Sequence, residues 1–376
     1  MSAGRRLRDG LGAVALVAAS LLFCLLALEL GLRLGWDGHY LNVPKAYAQP
    51  HPTRGWENRH AARVVYGEAE FRTTVTTNSL GFRGPELRVL EPRDPVRMLV
   101  LGDSFAYGVG VEDDATFSAR LAALEPGLEV LNAGVNGYAT SHELLLLREV
   151  GLGVHPDLVL LTFFWNDVTE AWRKPSPPFT LVDGRLVDPP HGPDDPRLSD
   201  WPDPNRRTWL QDSRARRFLK DRADRARWRL RVALGIPVDE PSRLDPEKRA
   251  RAWELCFAML REMDRLVRSS GARFAIAVIP DQVQVYPELE RTVLGIDEAD
   301  IEVQEALAAF ARDHGIPYID LLPALRAARA AHPGARLYYP MDRHLTAEGH
   351  RIVSEGLSAG LRETGLLDAA RERPAG

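Results

Sequence analysis

Val96-Arg97-Met98-Leu99-Val100-Leu101-Gly102-Asp103-Ser104-Phe105 is a short apolar run that stops at a glycine and turns through two polar residues. A run of this kind, apolar on both faces, reads as a buried parallel strand Val96–Leu101 feeding a tight turn. Outward from it the pattern repeats. Leu128–Asn132, Leu158–Phe163, Phe274–Ile279 and Tyr318–Leu321 are further apolar runs of strand length. Between and after them, Ala115–Leu124, Thr140–Val150, Glu247–Ser270, Ile301–His314 and a segment from Thr346 have helical spacing. In Glu247–Ser270 the residues Trp253, Cys256, Leu260, Met263 and Val267 fall three and four apart, and Gly271 ends the helix. Thr140-Ser141-His142-Glu143 has the form of a capping box. Five strands alternating with helices predict an α/β fold, a five-stranded parallel sheet with helices on both faces.

The 376 residues, 45% apolar and 27% charged, suit one such domain with an N-terminal extension and an insertion. A net charge of −4 gives no footing for nucleic acid. Cys24 lies in an apolar run and Cys256 on a buried helical stripe, so neither a disulfide nor a thiolate metal site is expected. Leu11–Leu28 is uncharged and follows Arg5, Arg6 and Arg8. As a helix it spans about 27 Å, nearly a hydrocarbon core, and residues up to 34 extend it. The positive-inside rule keeps residues 1–10 in the cytoplasm and sends the rest across the membrane. A cleaved signal peptide is the weaker alternative: Glu29 and Arg33 follow the run instead of a small-residue cleavage site.

The expected organisation is therefore a tail over 1–10, an anchor over 11–34, and a tether with a small β element over 35–92. Residues 93–169 and 246–370 form the α/β domain, and 170–245 an insertion. Residues 35–60 are rich in polar residues, Pro and Gly, and Val64–Tyr66 with Phe71–Thr77 form the β element, closed by Asn78–Gly84. Within the insertion, Arg206–Arg231 carries eleven Lys/Arg against three Asp. That is a solvated helical face or a surface for anionic headgroups or an acidic polymer.

Open α/β sheets bind ligands at the carboxyl ends of their strands. Four polar stretches stand at such ends: Gly102-Asp103-Ser104, Asn132–Tyr138, Trp165-Asn166-Asp167, and Tyr339–Thr346 with Asp342 and His344. Singly, each is an ordinary turn. Together they supply a nucleophile, oxyanion donors and a base with its carboxylate, the parts of an acyl-transfer site. In this order the four stretches resemble the signature blocks of the SGNH/GDSL hydrolase family, and residues 78–84 with Glu29 and Arg33 resemble its membrane-anchored bacterial members.

That resemblance implies a flavodoxin-like α/β hydrolase fold with Ser104 as nucleophile, His344 as base and Asp342 as its partner. Ser104 N–H, Gly137 N–H and the Asn166 amide would form the oxyanion hole. No metal or organic cofactor is implied. Two positions depart from the family: Phe164 replaces a glycine, which would narrow the pocket, and Asp342-x-His344 is one residue shorter than usual. Tyr138 and Trp165 are expected at the substrate rim. The expected function is a serine ester hydrolase that removes short acyl groups, acetyl above all, from a carbohydrate or similar polar substrate outside the membrane. An O-acyltransferase acting on a glycan hydroxyl and a non-catalytic glycan-binding module are the alternatives.

Overall fold

The computed structural model describes residues 3–35, 47–68, 70–87, 95–170, 179–188, 213–236, 246–289 and 301–371. Its strands are β1 (Ala48–His51), β2 (Gly55–Asn58), β3 (Arg63–Gly67), β4 (Arg72–Thr76), β5 (Val96–Gly102), β6 (Leu128–Asn132), β7 (Leu158–Phe163), β8 (Thr180–Val182), β9 (Arg185–Val187), β10 (Arg273–Val278) and β11 (Tyr318–Asp320). Its helices are α1 (Ala3–Gly35), α2 (Ser104–Tyr107), α3 (Phe117–Leu124), α4 (Thr140–Glu149), α5 (Asn166–Glu170), α6 (Arg214–Leu234), α7 (Pro246–Ser269), α8 (Gln282–Val285), α9 (Glu302–His314), α10 (Leu322–Ala331), α11 (Ala347–Glu363) and α12 (Leu366–Arg371).

Five strands form one parallel sheet in the order β11-β10-β7-β5-β6. Numbered along the domain this is 2-1-3-4-5, the flavodoxin-like order, with its switch point between the first and third strands. Strand residues alternate between two cores. Leu99, Leu101, Val159 and Leu161 pack on one face with Leu144 of α4, Met259 of α7 and Phe310 of α9. Met98, Val100, Leu158 and Leu160 pack on the other with Phe117 of α3 and Leu357 of α11. Continuous apolar runs were needed because neither face meets water.

The structure departs from the expected organisation in three places. Residues 48–58 form an antiparallel hairpin rather than a loose tether. Trp56 holds it to the domain, its indole N–H donating to Asn136 O at 3.0 Å and its ring 4.8 Å from that of His142. Thr140 opens the first turn of α4, and the N-cap is Ala139, which has no side-chain acceptor; its N–H donates to His142 Nδ1 at 3.3 Å. The capping box therefore does not form. The helix α10 was not foreseen, since its Ala- and Arg-rich sequence buries only Leu322 and Leu325.

The stretch Leu11–Gly35 of α1 is long and apolar enough to cross a membrane, with mean hydropathy 2.7, and its apolar window is unburied by the rest of the chain. Residues 35–46, where the rest of the tether was expected, lie outside the described residues apart from Gly35. So do residues 171–178, 189–212 and 237–245 of the insertion.

Candidate active site

Ser104 is the first residue of α2, directly after β5 at the switch point of the sheet. Asp103 caps that helix by accepting Phe105 N–H at 2.8 Å. The turn demands Gly102, which has φ +152°; a Cβ there would stand 2.3 Å from Thr162 Oγ1 and 2.9 Å from Thr162 O on β7. The loop after β6 is bound to the same helix. Asn132 Nδ2 donates to Ala106 O at 2.7 Å, while its Oδ1 accepts Gly134 N–H at 3.0 Å. At the far end of α2, the buried Arg83 donates from Nη1 to Tyr107 O and Gly108 O, and from Nη2 to Val111 O. The helix that Ser104 opens is thus gripped at both ends.

His344 and Asp342 come from a loop pinned by the Tyr338–Leu345 bridge and by Tyr339 N–H donating to His344 O at 2.9 Å. His344 Nε2 lies 2.8 Å from Ser104 Oγ, and His344 Nδ1 lies 2.6 Å from Asp342 Oδ1. A carboxylate, an imidazole and a hydroxyl in series form a relay able to draw the proton off Oγ as it attacks a carbonyl. Gly137 (φ +82°) stands in the loop after β6 and Asn166 opens α5 after β7, so both follow strands that flank β5.

The shortened Asp342-x-His344 spacing has a local explanation. Arg343 adopts a left-handed backbone, φ +73°, which is costly for a residue with a Cβ. Its side chain is held by a 2.6 Å ion pair from Nη2 to Asp281 Oδ2, and Trp165 Nε1–H donates to the same oxygen at 3.2 Å. Glu70 supports the loop from the other side, accepting Met341 N–H and Asp342 N–H at 2.8 Å each. Sequence reading gave no role to Arg343, Asp281 or Glu70. The last two act across long chain separations and leave no local pattern.

Tyr138 is corrected. It is fully buried, its hydroxyl donates to Trp56 O at 2.5 Å and its ring stacks 4.8 Å from His142. It belongs to the core and not to a substrate rim. Phe164 is also buried, 4.2 Å from the ring of Phe105, which in turn lies 5.0 Å from His344. It backs the imidazole through Phe105 instead of narrowing an open pocket. Trp165 stays half-buried beside it.

Two acids are buried near Ser104. Burial pushes the Asp103 carboxyl up to about 6, against the Phe105 amide that favours its charge. Glu143 of α4 is fully buried, and burial followed by the nearby Asp103 charge raises it well above the usual carboxylate range. Neither Glu143 oxygen has a hydrogen-bond partner among the described residues. A carboxyl held this way keeps its proton in the folded state after the unfolded chain has lost its own near pH 4 to 5, so it subtracts stability as pH rises. Glu143→Leu is therefore expected to raise stability by about 1–3 kcal/mol at pH 8 and by much less at pH 4. Urea unfolding at the two pH values measures this, with Glu143→Gln as the isosteric control. An equal gain at both would mean the effect is packing and not charge.

The chain is similar to several known proteins. The probable alginate O-acetylase AlgJ of Pseudomonas aeruginosa is 33% identical over 112 residues, 30% of this chain and 28% of that protein. The chain thus matches under a third of that relative's length. A G-D-S-L lipolytic protein of Veillonella parvula aligns over 70% of this chain and 96% of its own, at 13% identity and TM-score 0.39. A mutant of the acetylxylan esterase Axe2 of Geobacillus stearothermophilus aligns over 72% and 95%, at 13% identity and TM-score 0.38. The model of the GDSL-like Lipase/Acylhydrolase family matches residues 100–352, which run from the end of β5 through Ser104 and His344, and the chain belongs to that family.

Proposed function

We propose that this protein is a serine acyl-ester enzyme that handles short acyl groups, acetyl above all, on a polysaccharide outside the inner membrane. The observation that carries the reading is the Asp342–His344–Ser104 relay at the carboxyl end of β5. In it Ser104 Oγ attacks the ester carbonyl while His344 Nε2 takes its proton. Asp342 orients the imidazole and faces the positive charge that forms on it. Ser104 N–H, Gly137 N–H and the Asn166 amide receive the oxyanion. The alcohol leaves with the proton from His344, and a second hydroxyl, from water or a sugar, takes the acyl group off Ser104. Trp165 stands at the sugar side.

Transfer to a sugar hydroxyl is supported by the relative named as an alginate O-acetylase; hydrolysis is the family's named reaction. The location is supported by the single apolar helix at the N-terminus with Arg5, Arg6 and Arg8 before it. Full-length protein in detergent is expected to cleave p-nitrophenyl acetate at least about tenfold faster, in kcat/KM, than the eight-carbon ester, since a site that fits acetyl has to reject the extra methylenes. An acidic polysaccharide added as acceptor divides the two outcomes: acetyl gained by the polymer means transfer, and acetate alone means hydrolysis. Preference for the eight-carbon ester overturns the short-acyl reading.

A further inference from the structure

The N-terminus of helix α6 is tied to the C-terminal end of α1. Glu29, buried near the end of the apolar helix, accepts Ser213 Oγ–H at 2.8 Å, Arg214 N–H at 3.1 Å and Ala215 N–H at 2.8 Å. Arg33 Nε–H donates to Glu29 Oε1 at 2.7 Å, and Arg214 Nη1 donates to Leu32 O at 3.1 Å. A carboxylate across the free amides of a helix start is a favourable cap, and here it belongs to another helix. Only Leu28, Glu29 and Leu32 of residues 11–35 are shielded, so α6 leaves α1 within a turn and does not run down its apolar length.

Beyond that junction α6 carries nine Lys/Arg against two Asp, and its polar and apolar residues are sorted. Leu219, Ala223, Ala226, Leu230, Ala233 and Leu234 recur at three- and four-residue steps, so they fall within an arc of about 100°. All six are exposed. Arg216, Lys220 and Arg227 flank the arc on one side, and Arg222 and Arg229 on the other. Ala215, buried at the junction with α1, lies on the same face four residues before Leu219, so the stripe looks toward the side from which α1 arrives. The opposite face bears Phe218, Arg225 and Trp228, all partly covered. Burial raises the Glu70 carboxyl, and Arg225 lies near enough for its charge to pull the other way. Glu70 is the residue that holds the Asp342 loop.

We propose that α6 is an interfacial helix that lies along the membrane surface where α1 emerges, its apolar stripe among the acyl chains and its flanking cations on anionic phosphate headgroups. The fit is one of continuity and charge: the stripe begins at the end of an apolar span, and exposed leucines between arginines match a lipid boundary better than water. The active-site loop then rests above this helix at a fixed height over the lipid. The inference depends on α1 spanning the membrane, and the test separates the two.

Full-length protein with Cys24→Ala, and with Leu21→Cys, Leu230→Cys or Asp224→Cys introduced singly, is labelled with a polarity-sensitive dye. Cys256 is buried and stays unlabelled. Each form is placed in vesicles of phosphatidylethanolamine and phosphatidylglycerol with brominated acyl chains. The labels at 21 and 230 are expected to lose most of their emission to bromine, and the label at 224 to keep it. Leaving out phosphatidylglycerol should relieve the loss at 230 but not at 21. Loss at 21 without loss at 230 overturns the interfacial helix alone. No loss at 21 overturns the anchor and, with it, the proposal. A label at 230 that responds to an acidic polysaccharide and not to lipid also overturns it, and assigns the stripe to glycan.

Discussion

Ser104→Ala is expected to lower kcat on p-nitrophenyl acetate by roughly 10⁵–10⁶-fold, the scale seen when a hydrolytic nucleophile is removed. The substitution deletes one oxygen and nothing that the fold uses. Gly102 makes the turn, Asp103 caps α2 and Arg83 holds its carbonyl end, and none of these contacts involves Oγ. The nearest groups to that oxygen are His344 Nε2 at 2.8 Å and, more distantly, Asp103 Oδ2 at 3.5 Å. Thermal unfolding should be unchanged within error, so activity loss reads chemistry. A variant that keeps near wild-type turnover would place the nucleophile elsewhere and end the reading built on this serine.

His344→Ala is expected to be about as damaging, and the double variant with Ser104→Ala little worse than either. Residues that act in one proton transfer cannot each be lost twice. Asp342→Asn should cost roughly 10⁴-fold, because an amide facing Nδ1 at 2.6 Å favours the wrong tautomer while leaving the loop intact. Kinetics of the three single variants and the double, on one substrate, measure the coupling. Strictly multiplicative losses would mean that the serine and the histidine work independently, contrary to the 2.8 Å contact.

The frame of the molecule was legible because its strands are buried on both sides. Val96–Leu101 and Leu158–Phe163 are apolar on both faces but for Arg97 and for Thr162, whose buried hydroxyl donates to Leu101 O, and such runs separated by helical spacing leave few arrangements besides a parallel sheet. Ser104, His344 and Asp342 were legible for a related reason: each sits at a strand or helix end, where short polar stretches stand out against apolar runs. What escaped was what depends on long-range burial. Tyr138 follows a glycine in a loop and looks available, yet the hairpin around Trp56 closes over it from about eighty residues away. Glu143 reads as the acidic end of a capping box, and only the packing around α4 makes it a buried acid. Arg343 lies inside the motif, but nothing local announces a left-handed backbone held by Asp281.

The relay joins residues 240 positions apart, and its two halves sit on either side of the strand order's reversal. Contacts of such high sequence separation form late, since the chain entropy of closing the loop must be met before the contact gives anything back. In refolding, helix signal and tryptophan burial should therefore recover ahead of esterase turnover. During synthesis Ser104 is made long before His344, so on the proposed relay a nascent chain carrying Ser104 should show no turnover until β10, β11 and the His344 loop have docked. Turnover is in this sense a proofreader of the completed fold, reporting the last long-range closure rather than the first.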